Sequence, residues 1–160
     1  MIRARPLLLV GLLSLCPVSL GLAQSAPGTT IVLPPKLLAG QQATLAVLDS
    51  SGRLASAAVV EFSGGERVTT DATGRAVFTA PAEPGVLLAR LPGRGGRASA
   101  TVAAPVPNPA DGVQVLDSPA VVSVEDRLVV EGTGFRGDAN SIQATIGGQP
   151  ALVLASSPLS

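Results

Sequence analysis

Histidine, tryptophan and tyrosine are absent from this 160-residue chain, and cysteine occurs once, at Cys16. Each absence removes chemistry. Without His, and with one thiol near the N-terminus, no Ser-His or Cys-His nucleophile pair assembles, and the usual zinc ligand sets are missing. Without Trp and Tyr there is little on which a sugar ring or a nucleobase would stack. The aromatic content is Phe62, Phe78 and Phe135, each placed where a core residue is expected. Formal charge is zero overall, and no concentrated basic face is present, so nucleic acid is not expected as a partner.

The N-terminus is more informative. Met1-Ile2-Arg3-Ala4-Arg5-Pro6 is a short basic start without an acid, and an apolar run extends from Leu7 to Leu20. Gly21-Leu22-Ala23 supplies small residues where a signal peptidase reads, so residues 1–23 are predicted to be a secretory signal peptide cleaved before Gln24. At roughly 14 residues the run is short of the ~20 needed to cross a bilayer, so no transmembrane segment is expected after cleavage. Cys16 follows Leu15 and precedes Pro17, which is not a lipobox. The mature chain then has no cysteine, and an exported domain without disulfides relies on its core alone. Removing Arg3 and Arg5 leaves nine basic residues against eleven acidic ones. The halves differ: residues 27–104 carry seven basic and five acidic side chains, whereas 105–160 carry two and six.

The rest of the chain is built from short apolar stretches separated by turn chemistry. Strands are predicted at Thr29–Leu33, Ala43–Leu48, Ala58–Ser63, Arg67–Thr70, Arg75–Thr79, Val86–Leu91 and Arg97–Ala103. Between them lie Pro34-Pro35, Asp49-Ser50-Ser51-Gly52, Ser63-Gly64-Gly65, Asp71-Ala72-Thr73-Gly74, Pro81-Ala82-Glu83-Pro84-Gly85 and Pro92-Gly93. Asp, Ser and Gly in such clusters make turns, and proline cannot continue a ladder. Turn signals at this spacing predict an all-β antiparallel sandwich or barrel. In Arg97–Val102 the small apolar residues share one face, and Ala76 and Phe78 lie opposite Arg75, Val77 and Thr79. Period two with a polar side predicts a sheet wet on one face.

Pro105, Pro107 and Pro109 define a Pro-rich linker over 105–111, and alternating prolines favour an extended, semi-rigid spacer of roughly 20 Å. A second module over 112–160 is predicted to hold strands at Val113–Leu116, Ala120–Val124, Leu128–Glu131, Ile142–Ile146 and Ala151–Ala155. It is small for burying a core alone and is read as incomplete.

Two stretches resemble known families. Gly40 before Ala43–Val47, then Leu48–Gly52, Ala57–Ser63 and above all Val68-Thr69-Thr70-Asp71-Ala72-Thr73-Gly74-Arg75-Ala76-Val77-Phe78 resemble a bacterial Ig-like domain of the invasin/intimin type. The same hairpin recurs in carboxypeptidase-regulatory-like domains, and both alternatives stay open. Either resemblance implies a seven-strand β-sandwich over 27–104, used as spacer, adhesive stalk or accessory domain. Pro119–Val122, Asp126–Phe135 and Ile146-Gly147-Gly148 resemble the start of an IPT/TIG domain, which is also Ig-like. Neither resemblance implies a catalytic set.

Gly132-Thr133-Gly134-Phe135-Arg136-Gly137 formally matches G-x-G-x-x-G, but a dinucleotide site needs a helix on the third glycine and an acid about 20 residues on. A turn with Phe135 plugging the sandwich is expected instead. Asp111, Asp117, Glu125, Asp126 and Asp138 form no calcium-loop run and are expected to be a solvated acidic surface. Glu61 and Glu66 flank a turn and are expected to be exposed strand-end charges rather than an acid/base pair. Arg90, Arg94 and Arg97 form the one basic cluster, with anionic polysaccharide or a membrane surface as its conceivable contacts. No catalytic, cofactor-binding or metal-binding residue is assigned, and no cofactor is expected. The expected function is that of an exported, non-enzymatic Ig-like module for structure, adhesion or interaction at the cell envelope. Its expected partner is a protein or an envelope component that the sequence does not specify. The alternatives are a ligand-binding module for protein or glycan, and the accessory N-terminal part of a longer extracellular enzyme.

Overall fold

The sequence D-x-(S/T)-G-R occurs twice, at Asp49–Arg53 and Asp71–Arg75, and it folds the same way both times. In each turn one carboxylate oxygen accepts from the backbone N–H two residues on, at 2.8 and 2.7 Å, and from that residue's hydroxyl, at 2.7 and 2.6 Å. The same oxygen also accepts from the arginine N–H, at 3.0 and 3.2 Å. The glycine then reverses the chain at φ +79° and +71°, a region costly for residues that carry a Cβ. These two Asx-type turns end one central strand and start its neighbour.

The computed structural model describes residues 28–93, 95–105, 112–119 and 127–160. The signal-peptide segment, Arg94, most of the linker and the expected strand Ala120–Val124 lie outside the described residues. The described chain is all-β, with twelve strands and one 3₁₀ turn. β1 (Thr30–Val32), β3 (Gln42–Leu48) and β6 (Arg75–Thr79) form one antiparallel sheet in the order β1-β3-β6. β2 (Lys36–Leu38), β8 (Arg97–Ala103), β7 (Gly85–Arg90), β4 (Val59–Phe62) and β5 (Arg67–Thr69) form the second, in that order. Only the β2–β8 pair is parallel among these strands.

The seven strands expected before the linker are all present, with ends shifted by a residue or two. β2 is the addition. Pro34-Pro35 was expected only to interrupt the chain, but the prolines carry it from β1, beside β3, across to β2, beside β8, where the Pro35 carbonyl accepts from Thr101 N–H at 2.9 Å. Proline suits this role because it lacks the donor a central ladder would demand.

The two sheets close on a core of Ile31, Leu37, Leu45, Val47, Val60, Phe62, Phe78, Leu87, Leu91 and Val102, with alanines filling between them. Phe62 and Phe78 meet across it, ring centroids 4.8 Å apart and tilted by 35°. The expected alternation holds on β8, where Ala100 and Val102 are buried and Ser99 and Thr101 exposed. It fails on the outer face of the first sheet. Thr44 and Ala46 are as buried as Leu45 and Val47, and Arg75, expected on a wet face, is only 7% exposed. The cause is a cover supplied by the C-terminal residues.

Those residues form two ribbons. β9 (Gln114–Asp117) pairs with β10 (Glu131–Thr133), with a register shift between Glu131 and Gly132. β11 (Ala144–Ile146) and β12 (Gln149–Ala151) make a hairpin around Gly147 and Gly148, whose φ of +58° and +81° suits a two-residue turn. The ribbons correct several expectations. Arg127–Val130 is not strand, so the strand expected at Leu128–Glu131 begins at its last residue. The strand expected at Ala151–Ala155 ends where it should begin, leaving a single bridge at Ser156. Phe135 is half-buried beside Gly132 and does not plug the sandwich core.

Candidate functional site

Among the described residues no three His, Cys, Asp or Glu side chains converge as metal ligands would. The candidate carboxylate pair does not exist as such. Glu61 is not the free strand-end charge expected: its side chain is 14% exposed and held by Arg90 at 2.7 Å and Arg67 at 3.3 Å. The hydrogen bond from Arg90 is the main reason its carboxyl is held below the usual range, so it stays ionised and is unsuited to donate a proton. Glu66 is exposed on the neighbouring turn. The basic cluster is partly neutralised through Arg90. Arg90 stands opposite Arg97 in the β7–β8 register, a like-charge pair that Glu61 offsets.

The glycine motif is structural. Gly132 lies on β10, Gly134 turns the chain, and the Gly137 carbonyl accepts from Thr44 Oγ1 at 2.6 Å. Beyond Gly137 the chain makes a three-residue 3₁₀ turn capped by Asp138, whose carboxylate accepts from Asn140 N–H at 3.0 Å. No dinucleotide-binding helix is formed. Asp138 is therefore occupied as a cap and Asp117 is exposed, whereas Asp111, Glu125 and Asp126 lie outside the described residues.

Two surfaces stand out instead. The first is the outer face of the five-stranded sheet. Along β7, Leu87 and Ala89 turn inward while Val86 and Leu88 turn out, 68% and 54% exposed. They face Thr101 and Ser99 of β8. Arg67, Glu61, Arg90 and Arg97 form one row across the four strands at the end of this stripe, and the exposed Val59 of β4 lies beyond that row. An apolar stripe edged by arginines suits protein contact better than catalysis. The sequence held the signal: Val86-Leu87-Leu88 is a strand with no polar alternate, so one apolar face had to point outward.

At one end of the sandwich a groove of about 290 Å³ opens between the β4–β5 turn and the β6–β7 loop. Phe62, Phe78, Pro81, Pro84 and Leu87 line it, with Glu66 and Glu83 also on its wall.

The second surface is the seam where the C-terminal residues meet the first sheet. Thr44 N–H donates to the Ser156 carbonyl at 2.8 Å, and Ser156 N–H donates back to the Thr44 carbonyl at 3.0 Å. Thr44 Oγ1 accepts from Ala139 N–H at 3.1 Å. Arg75 donates through Nε to the Val153 carbonyl at 3.1 Å and through Nη1 to Asn140 Oδ1 at 3.2 Å. Ser157 Oγ donates to the Lys36 carbonyl, and the Lys36 ammonium pairs with Glu131. Sequence reasoning missed every member of this seam.

Among the described residues no helix is long and apolar enough to cross a membrane. No protein-family model matches this chain, and no curated protein matches it.

Proposed function

We propose that the chain is an exported, non-enzymatic Ig-like protein that serves as a structural or adhesion/interaction module at the cell envelope. The observation that carries this reading is the uncovered pair Val86 and Leu88, bordered at one end by the row Arg67, Glu61, Arg90 and Arg97. A monomer that leaves such a stripe in water gains by covering it with a partner. Strand order supports the Ig-like assignment. A three-stranded sheet faces a five-stranded one, and the first strand is divided between them at Pro34-Pro35, an arrangement related to the two-sheet sandwich of immunoglobulin domains. The basic, apolar and small-residue regions of residues 1–23 support export.

Export and binding are tested separately. Expression of the whole chain with N-terminal sequencing of the product is expected to give Gln24 as the first residue, outside the cytoplasm. Purified residues 24–160 are then expected to bind isolated envelopes, with Leu88→Glu cutting binding at least tenfold. Unprocessed chain retained in the cytoplasm contradicts export. Equal binding by both proteins contradicts the assigned face.

A second reading, the accessory front part of a longer extracellular enzyme, draws on the β9–β10 ribbon. Its Val115 and Leu116, and Val113 just before it, lie exposed, an apolar surface that a further domain would cover under this reading. The coding sequence after Ser160 decides it: an immediate stop codon removes this reading.

A further inference from the structure

The groove at the end of the sandwich has an apolar floor and an anionic rim. Phe62 and Phe78, each 4% exposed, form the floor with Leu87, and Pro81 and Pro84 stand in one wall. Glu66 on the β4–β5 turn and Glu83 in the β6–β7 loop line it from exposed positions. Among the described residues, Glu61 and Glu131 are held in ion pairs, whereas Glu66 and Glu83 are in none. No lysine or arginine is among the described residues that line the groove. Two carboxylates on the walls of one groove of about 290 Å³ repel each other, and a ligand bringing positive charge relieves both.

The walls are already in place. Phe62 N–H donates to the Glu66 carbonyl at 2.9 Å and Gly65 N–H to the Phe62 carbonyl at 2.9 Å, which closes the first turn. Ser63 N–H ties that turn to the Leu88 carbonyl at 2.9 Å, and Gly40 N–H holds the second loop through the Pro81 carbonyl at 3.1 Å. Pro81 and Pro84 fix two φ angles between Thr79 and Gly85. A groove held in this way loses little freedom when it binds.

Each part narrows the ligand. The acids disfavour an anion, and a neutral ligand leaves them without a partner. A hard metal ion needs several converging oxygens, and among the described residues no third acidic, His or Cys side chain joins these two. An organic cation satisfies the rim by ion pairing and the floor by alkyl contact, and its charge is drawn to the face of an aromatic ring. The groove sits near the lower end of small-molecule sites, about 300–1,000 Å³, so it suits a short chain rather than a protein segment. With one acid on each loop, the matching ligand carries a cation at each end. We infer that this groove binds a linear alkyl diamine, its ammonium groups at Glu66 and Glu83 and its methylenes over Phe62 and Phe78. The site does not depend on export or on the envelope contact.

Its test uses the scarcity of aromatics. Phe62, Phe78 and Phe135 are the aromatic side chains of the chain, so these rings alone fill the aromatic region of a proton NMR spectrum. Diaminopentane, with an amine at each end, is titrated into residues 24–160 at low salt. Saturable shifts are expected at Phe62 and Phe78, with Phe135, which lies outside the groove, unmoved. Half-saturation is expected at a concentration several-fold lower than for pentylamine, which has a single amine. Pentanediol, equally long and uncharged, should leave all the rings unmoved. Glu66→Gln and Glu83→Gln each remove an exposed carboxylate without touching the core, and either is expected to abolish the preference for the diamine over the monoamine. Unshifted Phe62 and Phe78 rings overturn the site. Equal affinity for both amines, or a preference that survives both variants, overturns it equally.

Discussion

Thr44 and Ser156 exchange both backbone hydrogen bonds, at 2.8 and 3.0 Å, and so join the centre of the first sheet to the far end of the chain. This narrow pair makes the C-terminal arm part of the sandwich edge rather than an appendage.

Thr44→Val keeps the shape of a buried side chain but removes the hydroxyl that bonds Gly137 and Ala139. Ala139 N–H is then left without that acceptor in a buried place. Urea unfolding of residues 24–160 is expected to show a loss of about 1–3 kcal/mol. An unchanged midpoint would mean that the seam contributes nothing to the folded state.

The twin turns allow a paired comparison. Gly74 and Gly52 have similar positive φ, but a Cβ on Gly74 would lie 2.7 Å from Leu54 Cβ, whereas one on Gly52 meets nothing within 4 Å. Gly52→Ala is expected to cost about 1–2 kcal/mol from backbone strain alone. Gly74→Ala is expected to cost clearly more in the same thermal melt. Equal losses would show that the close approach to Leu54 relaxes freely.

Phe62→Ala breaks the Phe62–Phe78 contact at 4.8 Å in a core otherwise rich in alanine. Small neighbours have few atoms with which to refill the space. The expected loss is about 3–5 kcal/mol, enough to unfold a marginal domain. Val77→Ala, on an exposed position of β6, serves as the control and should stay within about 0.5 kcal/mol of the parent.

Acid sensitivity arises from three carboxylates. Asp49 is lowered chiefly by its hydrogen bond from Ser51, Asp71 by that from Thr73 and Glu61 by that from Arg90. Each folded pKa lies below its ordinary value of 3.8 for Asp or 4.5 for Glu. The stabilisation is therefore complete above those values and is lost as pH falls through the lower folded ones. Circular dichroism melts are expected to be flat from neutral pH down to about 5 and to fall below about 4. Asp71→Asn should flatten that fall, and an unaltered acid slope in the variant would remove Asp71 from the explanation.

How much of this was legible in advance depends on how far apart the cooperating residues lie. The turns Asp49–Arg53 and Asp71–Arg75 are closed by hydrogen bonds within five residues, so local composition announced them. Alternation on β8 and the inward set of Phe62 and Phe78 were legible for the same reason: a strand's side-chain period is a property of the strand itself. The sequence alone thus determined an all-β chain, its first seven strands and the absence of His-, Trp- and Tyr-based chemistry.

Tertiary structure decided the rest. A proline pair shows that a ladder stops, not that the chain will resume beside β8, so β2 became visible only when both sheets were in place. Arg75 obeys its strand's alternation and points outward as expected, yet it is buried because a segment far along the chain lies over it. Glu61 is set between Arg90 and Arg67 by the pairing of three strands. Burial and ion pairing are relations between surfaces that meet only after folding, and a pattern read along one strand carries no record of what will cover it.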